Sequence, residues 1–251
     1  MAHPHTRIKS GLLVSLLLIS MVGPDDILAQ SSDTFPVGQF SIEKAGEQLP
    51  HGWQSLNFSG IKQHTDYLLV EDNGTTVIKA VSHQSASGLL RAISIDPVEY
   101  PVIQWRWKVN NVLQKGDVSH KNGDDYPARI YITFALDPDK ASYLQRLQYK
   151  AAQLIKGKDV PYRAISYIWG SHSQAGTMIA NPYTDHVMMF VVEAGDKKLG
   201  QWVTERRNVY EDYRKAFGEE PSMISGVAVM TDTDNTEESA VAWYGDIVFR
   251  K

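Results

Sequence analysis

Two adjacent carboxylates, Asp124 and Asp125, stand just ahead of an arginine, Arg129, in the stretch NGDDYPARIYITF (Asn122–Phe134). Such a set can form an ion pair, hold a cation through its oxygens, or supply an acid and a base. The two acids of a glycosidase need a spacing of roughly 5–9 Å across a cleft, and adjacency in the chain does not establish that. Turn chemistry after Asn122-Gly123 is the plainer account of the same residues. A second acidic group lies in TDTDNTEES (Thr231–Ser239), with Asp246 on the strand that follows. Asp232, Asp234 and Asp246 are the candidate calcium ligands. The loop is not an EF-hand, because Thr236 and Glu237 stand where a ligand and a glycine are wanted.

Groups able to move protons are fewer. His186 adjoins Asp185 and lies near Tyr183, and Tyr131 sits on the strand that Arg129 opens. A lyase acting on uronic acids needs such a set: an arginine or glutamine to neutralise the carboxylate, and His or Tyr to transfer the proton. Asp125, Tyr131 and His186 are therefore the catalytic candidates. Gly170 and Gly176 are misplaced around Ser171 and Ser173, so the nucleophile-elbow pattern Gly-x-Ser-x-Gly fails. The chain has no cysteine, which removes thiol catalysis, disulfides and thiolate metal sites.

The elements that must position these residues read as strands. Strand-like apolar runs separated by turn residues recur about ten times, from YLLVE (Tyr67–Glu71) to AVAWYGDIVF (Ala240–Phe249), and Asp72-Asn73-Gly74 marks a hairpin. This pattern predicts an all-β fold, an antiparallel two-sheet β-sandwich of jelly-roll type, with one or two inserted helices. The longer helix is expected over about Pro138–Lys156, capped by Asp137, with an apolar stripe of Leu144, Leu147, Ala151 and Leu154. A shorter one is expected over Glu211–Phe217.

Alternation splits each strand into faces. In VIQWRWKV (Val102–Val109), Ile103, Trp105, Trp107 and Val109 face one way, and Gln104, Arg106 and Lys108 the other. In RIYITFAL (Arg129–Leu136), Ile130, Ile132 and Phe134 oppose Arg129, Tyr131 and Thr133. If both strands lie in one sheet, its solvent face is a groove of guanidinium, amide and phenol groups suited to an acidic oligosaccharide. Gln104, Arg106, Arg129, Tyr131 and Trp169 are the expected ligand-binding residues. Such polarity is also what any water-facing antiparallel sheet carries.

The bulk numbers set the frame. A chain of 251 residues with a formal net charge of −4 suits one sizeable core and argues against nucleic acid. Residues 1–29 read as a signal peptide: Arg7 and Lys9, then the apolar run Gly11–Gly23, then ILA before Gln30. That run is shorter than the roughly 20 residues a membrane span needs, although retention as an anchor stays open. Residues 30–251 are expected to form a single exported domain, periplasmic or extracellular, with no stable membrane insertion after cleavage. No organic cofactor is called for, and calcium is the one ion the pattern admits.

Several motifs together resemble a bacterial family, domain of unknown function 3047: PVIQWRWKV, GDDYPARIYITF, YIWG and VAVMTDTDNTEESAVAWYGDIVF, spread over about Phe35–Phe249. The resemblance implies an exported bacterial protein whose marked positions include Trp105, Arg106, Trp107, Asp124, Asp125, Arg129, Trp169, Gly170, Asp232, Asp234, Thr236 and Asp246. It carries no catalytic assignment. The expected function is an envelope module binding a glycan or other small polar ligand. The alternatives are a polysaccharide lyase or hydrolase using the same groove, and a non-catalytic structural partner in an envelope assembly.

Overall fold

Asn73 and Gly74 both take positive φ, 52° and 76°, the primed-turn geometry whose twist matches a pair of antiparallel strands. The computed structural model that contains this turn describes Met1 and residues 33–139, 141–156 and 161–251. The expected signal peptide therefore lies outside the described residues. In chain order the strands are β1 (Thr34–Gly38), β2 (Gln54–Leu56), β3 (Asp66–Asp72), β4 (Thr75–His83), β5 (Ala86–Ile95), β6 (Val102–Val109) and β7 (Arg129–Phe134). Helix α1 (Tyr143–Lys156) follows, then β8 (Arg163–Gly170), β9 (Met178–Asn181), β10 (Thr184–Ala194), β11 (Val203–Asn208), α2 (Val209–Phe217), β12 (Ile224–Asp232) and β13 (Ser239–Arg250).

Two sheets form a β-sandwich. Sheet A runs β11-β6-β13-β4-β3, with β1 continuing along the edge of β13 beyond the reach of β4. Sheet B runs β2-β5-β12-β7-β8-β10-β9. Pairing is antiparallel except between β8 and β10, which β9 links by passing along the outer edge. Among the described residues no helix is long and apolar enough to cross a membrane.

The alternating residues of β6 and β7 supply the core. Ile103, Trp105, Trp107 and Val109 are fully buried against Ile130, Ile132 and Phe134 of the opposite sheet. Trp105 stacks on Tyr167 at 5.2 Å, and Trp107 meets Trp169 at 5.9 Å. Each such side chain contributes about 1.5–3 kcal/mol through burial alone. The expected strand faces are those observed.

Helix α1 departs from expectation. It starts at Tyr143, not at Pro138, because Ser142 and Gln145 form a reciprocal cap: the Gln145 amide donates to Ser142 Oγ (3.2 Å) and the Ser142 amide to Gln145 Oε1 (2.7 Å). Leu144 and Leu147, expected on a buried stripe, are 60% and 52% exposed. Helix α2 begins two residues before the expected start, at Val209, capped by Asn208, and ends at Gly218 with φ 70°.

At the end of the sandwich where β12 finishes, the core turns polar. Thr231 Oγ1 and Tyr244 Oη are 2.9 Å apart, Thr65 Oγ1 donates to the Thr231 carbonyl (2.7 Å), and Ser82 Oγ lies 2.8 Å from Thr233 Oγ1. These bonds fix Thr231 and Thr233 inward, so Asp232 between them must point outward.

On edge strand β11, Glu205 and Arg207 turn toward the inside, an arrangement that discourages further strand pairing. Arg207 is satisfied by a forked pair with Asp212 of α2, at 2.9 and 2.5 Å. Glu205 is not so well met. Burial, and then the Glu193 carboxylate, push its carboxyl up to about 7. An acid with a raised native pKa stabilises the fold fully below its ordinary range, and that contribution is lost as pH rises through about 7. We expect Glu205→Gln to raise the melting temperature little at about pH 5 and clearly at about pH 8. An equal effect at both pH values in a thermal-melt series would refute this assignment.

Candidate functional site

The loop between β6 and β7 folds back over the outer face of sheet B, the face turned away from sheet A. Val118 and Tyr126 pack there on Ile168, Met189 and Val191. Gly123 is required at the turn, since a Cβ would come within 2.6 Å of the Asp117 backbone nitrogen. The covering loop takes water away from the polar residues beneath it, and it delivers Asp124 and Asp125 to the end of the sheet where β7 begins and β12 ends.

Each aspartate there has its own partners. Asn181 donates to both oxygens of Asp124 (3.1 and 2.8 Å), and the Tyr126 hydroxyl donates to Oδ1 (3.0 Å). Asp125, fully buried, receives the Thr236 amide (2.6 Å), the Thr236 hydroxyl (2.7 Å) and the Asn235 side-chain amide (3.0 Å). Arg129 does not bond Asp125. Its Nη2 donates to Asp232 Oδ2 at 2.5 Å, with Arg129 only 5% and Asp232 only 1% exposed. The guanidinium lies over the rings of Tyr126 and Tyr131 at 5.1 and 5.2 Å. Arg129 Nε and Nη1 and Asp232 Oδ1 are buried without a hydrogen-bond partner among the described residues.

Electrostatics at this end are strongly acidic. Burial raises the Asp232 carboxyl well above its ordinary range; Arg129 pulls against the shift, and Asp125, Asp124 and Asp234 add to it. Asp234 is raised too, by burial and then by Asp125. Tyr131, flanked on neighbouring strands by Ala228 and Ser166, is pushed up to about 12, mainly by burial.

The other expected site residues are dispersed. Gln104 and Arg106 stand on β6 in sheet A, and Arg129 and Tyr131 on β7 in sheet B, so the two polar faces are opposite outsides of the sandwich and share no groove. Trp169 is fully buried and faces inward, against Trp107. Asp246 is on β13 of sheet A, where Ser41 donates to it through its amide (2.9 Å) and hydroxyl (2.5 Å). It therefore does not join Asp232 and Asp234. Asp125 does: one oxygen from each of Asp125, Asp232 and Asp234 lies within 4.8 Å of the others. His186 is exposed on β10, its Nδ1 3.0 Å from the Tyr162 carbonyl. Tyr162 precedes β8 at the end remote from Ile168, the partner of Arg129, so His186 stands apart from the other two catalytic candidates.

Arg106 belongs to a different constellation. On the outer face of sheet A, Lys79 lies over Trp243 (5.9 Å), Lys108 over Trp243 (4.4 Å) and Trp202 (5.2 Å), and Arg106 over Trp202 (4.5 Å). Asp72 accepts from both Lys108 Nζ (2.8 Å) and the Trp202 indole (2.7 Å). The Lys108 bond comes first among the causes that lower the Asp72 pKa. Gly245 makes room for this strip, since a Cβ there would come within 2.5 Å of the Arg106 side chain.

Residues 51–248 match the model of a family described as "Protein of unknown function (DUF3047)". The chain belongs to this family. No curated protein matches the sequence. Among solved structures, the DUF3047 chain is similar to a thermostable cellulase derived from that of Rhodothermus marinus, with 14% identity and a TM-score of 0.42, over 86% of this chain and 98% of the other. It is similar also to endoglucanase 3 of Trichoderma harzianum, with 10% identity and a TM-score of 0.37, over 80% and 98% of the two chains. A third similarity is to the glycoside hydrolase domain of Endo-D from Streptococcus pneumoniae, with 9% identity and a TM-score of 0.31. It covers 79% of this chain, which spans 21% of that one.

Removing one member of a buried ion pair strands the other. We expect Arg129→Met to destabilise this DUF3047 protein by about 3–5 kcal/mol in denaturant titrations, and Arg129→Met with Asp232→Leu to recover most of that loss. Additive losses in the double variant would show that the two residues do not act as a pair.

Proposed function

We propose that this protein is an exported, envelope-located glycan-binding module, and that it holds an anionic glycan on the outer face of sheet A. The observation that carries this reading is the strip in which Lys79, Lys108 and Arg106 interleave with Trp243 and Trp202. Indole surfaces offer apolar area to sugar rings at little entropic cost, and cations beside them suit carboxylate or sulfate substituents. Asp72 neutralises one of the three cations and holds Trp202 in place, so the strip is preorganised and retains net positive charge. The outer face of sheet B has the opposite sign, with four aspartates around one arginine, and would repel the same ligand. Export is supported by the signal-like pattern of residues 1–29.

Isothermal titration with oligogalacturonate, and with a neutral cello-oligosaccharide as control, tests the reading. The acidic oligomer is expected to bind and the neutral one to bind more weakly. Trp243→Ala should weaken the acidic interaction about tenfold, equivalent to about 1.4 kcal/mol. Absence of binding to the acidic oligomer, or unchanged affinity in a folded Trp243→Ala variant, would overturn it. Assay of the same mixtures for new chain ends tests the lyase or hydrolase alternative.

A further inference from the structure

The carboxylates beneath the loop before β7 present a problem that the sheet A strip does not address. Asp125, from the loop before β7, converges with Asp232 at the end of β12 and Asp234 just beyond it, with one oxygen of each within 4.8 Å of the others. Among the described residues one cationic side chain, Arg129, pairs with any of them, and it engages a single oxygen of Asp232. The other oxygen, Asp232 Oδ1, is buried and has no hydrogen-bond partner among the described residues. Three carboxylates against one guanidinium leave two formal negative charges in a site largely withdrawn from water. That arrangement is costly unless something of opposite charge enters.

We propose that Asp125, Asp232 and Asp234 hold one divalent cation, with calcium the preferred ion. The oxygen spacing fits: ligands sharing an ion at about 2.4 Å can be no further apart than about twice that distance. The donor set is all oxygen, with no histidine in the group and no cysteine in the chain, which disfavours zinc and the softer transition metals. Three carboxylates in one place suit calcium better than magnesium, which keeps most of its water and uses one or two. The surrounding bonds have the form of an outer shell. Thr236 and Asn235 orient Asp125, and Arg129 fixes Asp232 while leaving Oδ1 for the ion. Asp234 is half-buried, giving an approach for the ion and room for coordinated water. Bound there, the ion ties the Asp124–Asp125 turn to the loop after β12 and closes that end of sheet B. The site is independent of the glycan strip, and either can fail without the other.

The test uses the full chain after exhaustive chelation. Calorimetric titration with calcium chloride should show saturable binding near one ion per chain. With free calcium at about a hundredfold over Kd, the melting temperature should rise by roughly 5 °C or more, and chelator should reverse the rise. Asp234→Asn, at the least buried of the three positions, should abolish both responses while staying folded, as Asp125→Asn should by a second route. Magnesium and manganese titrations read the ion preference; tighter binding of either would overturn the choice of calcium. Failure of all three ions to bind would overturn the site itself. So would a rise matched by sodium chloride at equal ionic strength, or a full calcium response in both variants.

Discussion

Burying a carboxylate costs several kcal/mol unless hydrogen bonds or opposite charge meet it, and the outer end of sheet B buries several together. The Arg129–Asp232 pair is the interaction that makes this tolerable. Its two members come from adjacent strands, β7 and β12, and the pair lies under a loop whose Tyr126 ring covers the guanidinium. Around it, the two acids of the covering loop have been given donors: Asn181 and Tyr126 for Asp124, Thr236 and Asn235 for Asp125. The hydroxyl network of Thr65, Ser82, Thr231, Thr233 and Tyr244 holds the backbone from the other side. The loops at this end are thus defined by satisfying charge, while the rest of the sandwich is defined by packing tryptophan and tyrosine.

Two faces of opposite chemical character result. Sheet A presents cations interleaved with indoles, and sheet B presents carboxylates gathered around one cation. A single ligand cannot use both, because the whole thickness of the sandwich separates them. In the readings proposed above, recognition of an anionic chain falls to the first face and cation binding to the second.

Much of the architecture was legible in local pattern. The alternation of Ile103, Trp105, Trp107 and Val109 with Gln104, Arg106 and Lys108 is a direct consequence of strand geometry, and burial follows it residue by residue. The Asn73-Gly74 hairpin was legible for the same reason, since few residue pairs accept two positive φ angles. Strands β1, β2 and β9 were not, being short edge pieces whose pairing comes from distant partners. The start of α1 was missed because two cap signals, Asp137-Pro138 and Ser142-x-x-Gln145, compete within one turn and a half of chain, and the reciprocal one prevails.

The residue types at the candidate sites were visible as well: Asp124, Asp125, Asp232 and Asp234 stand in acidic turns beside strands, and Arg129 opens an otherwise apolar-alternating one. By itself the sequence determined which side chains share a face of strands such as β6 and β7. It could not determine which strands share a sheet, because β6 and β7 have the same alternating pattern and nothing local distinguishes membership of one sheet from the other. Tertiary pairing decided that Arg106 joins Trp202 and Trp243, that Arg129 joins Asp232, that Trp169 turns into the core, and that Asp125 takes the place beside Asp232 and Asp234 expected of Asp246. The physical reason is common to all four. Contacts between residues roughly 60 to 140 positions apart are set by the packing of whole sheets, which single-strand periodicity does not encode.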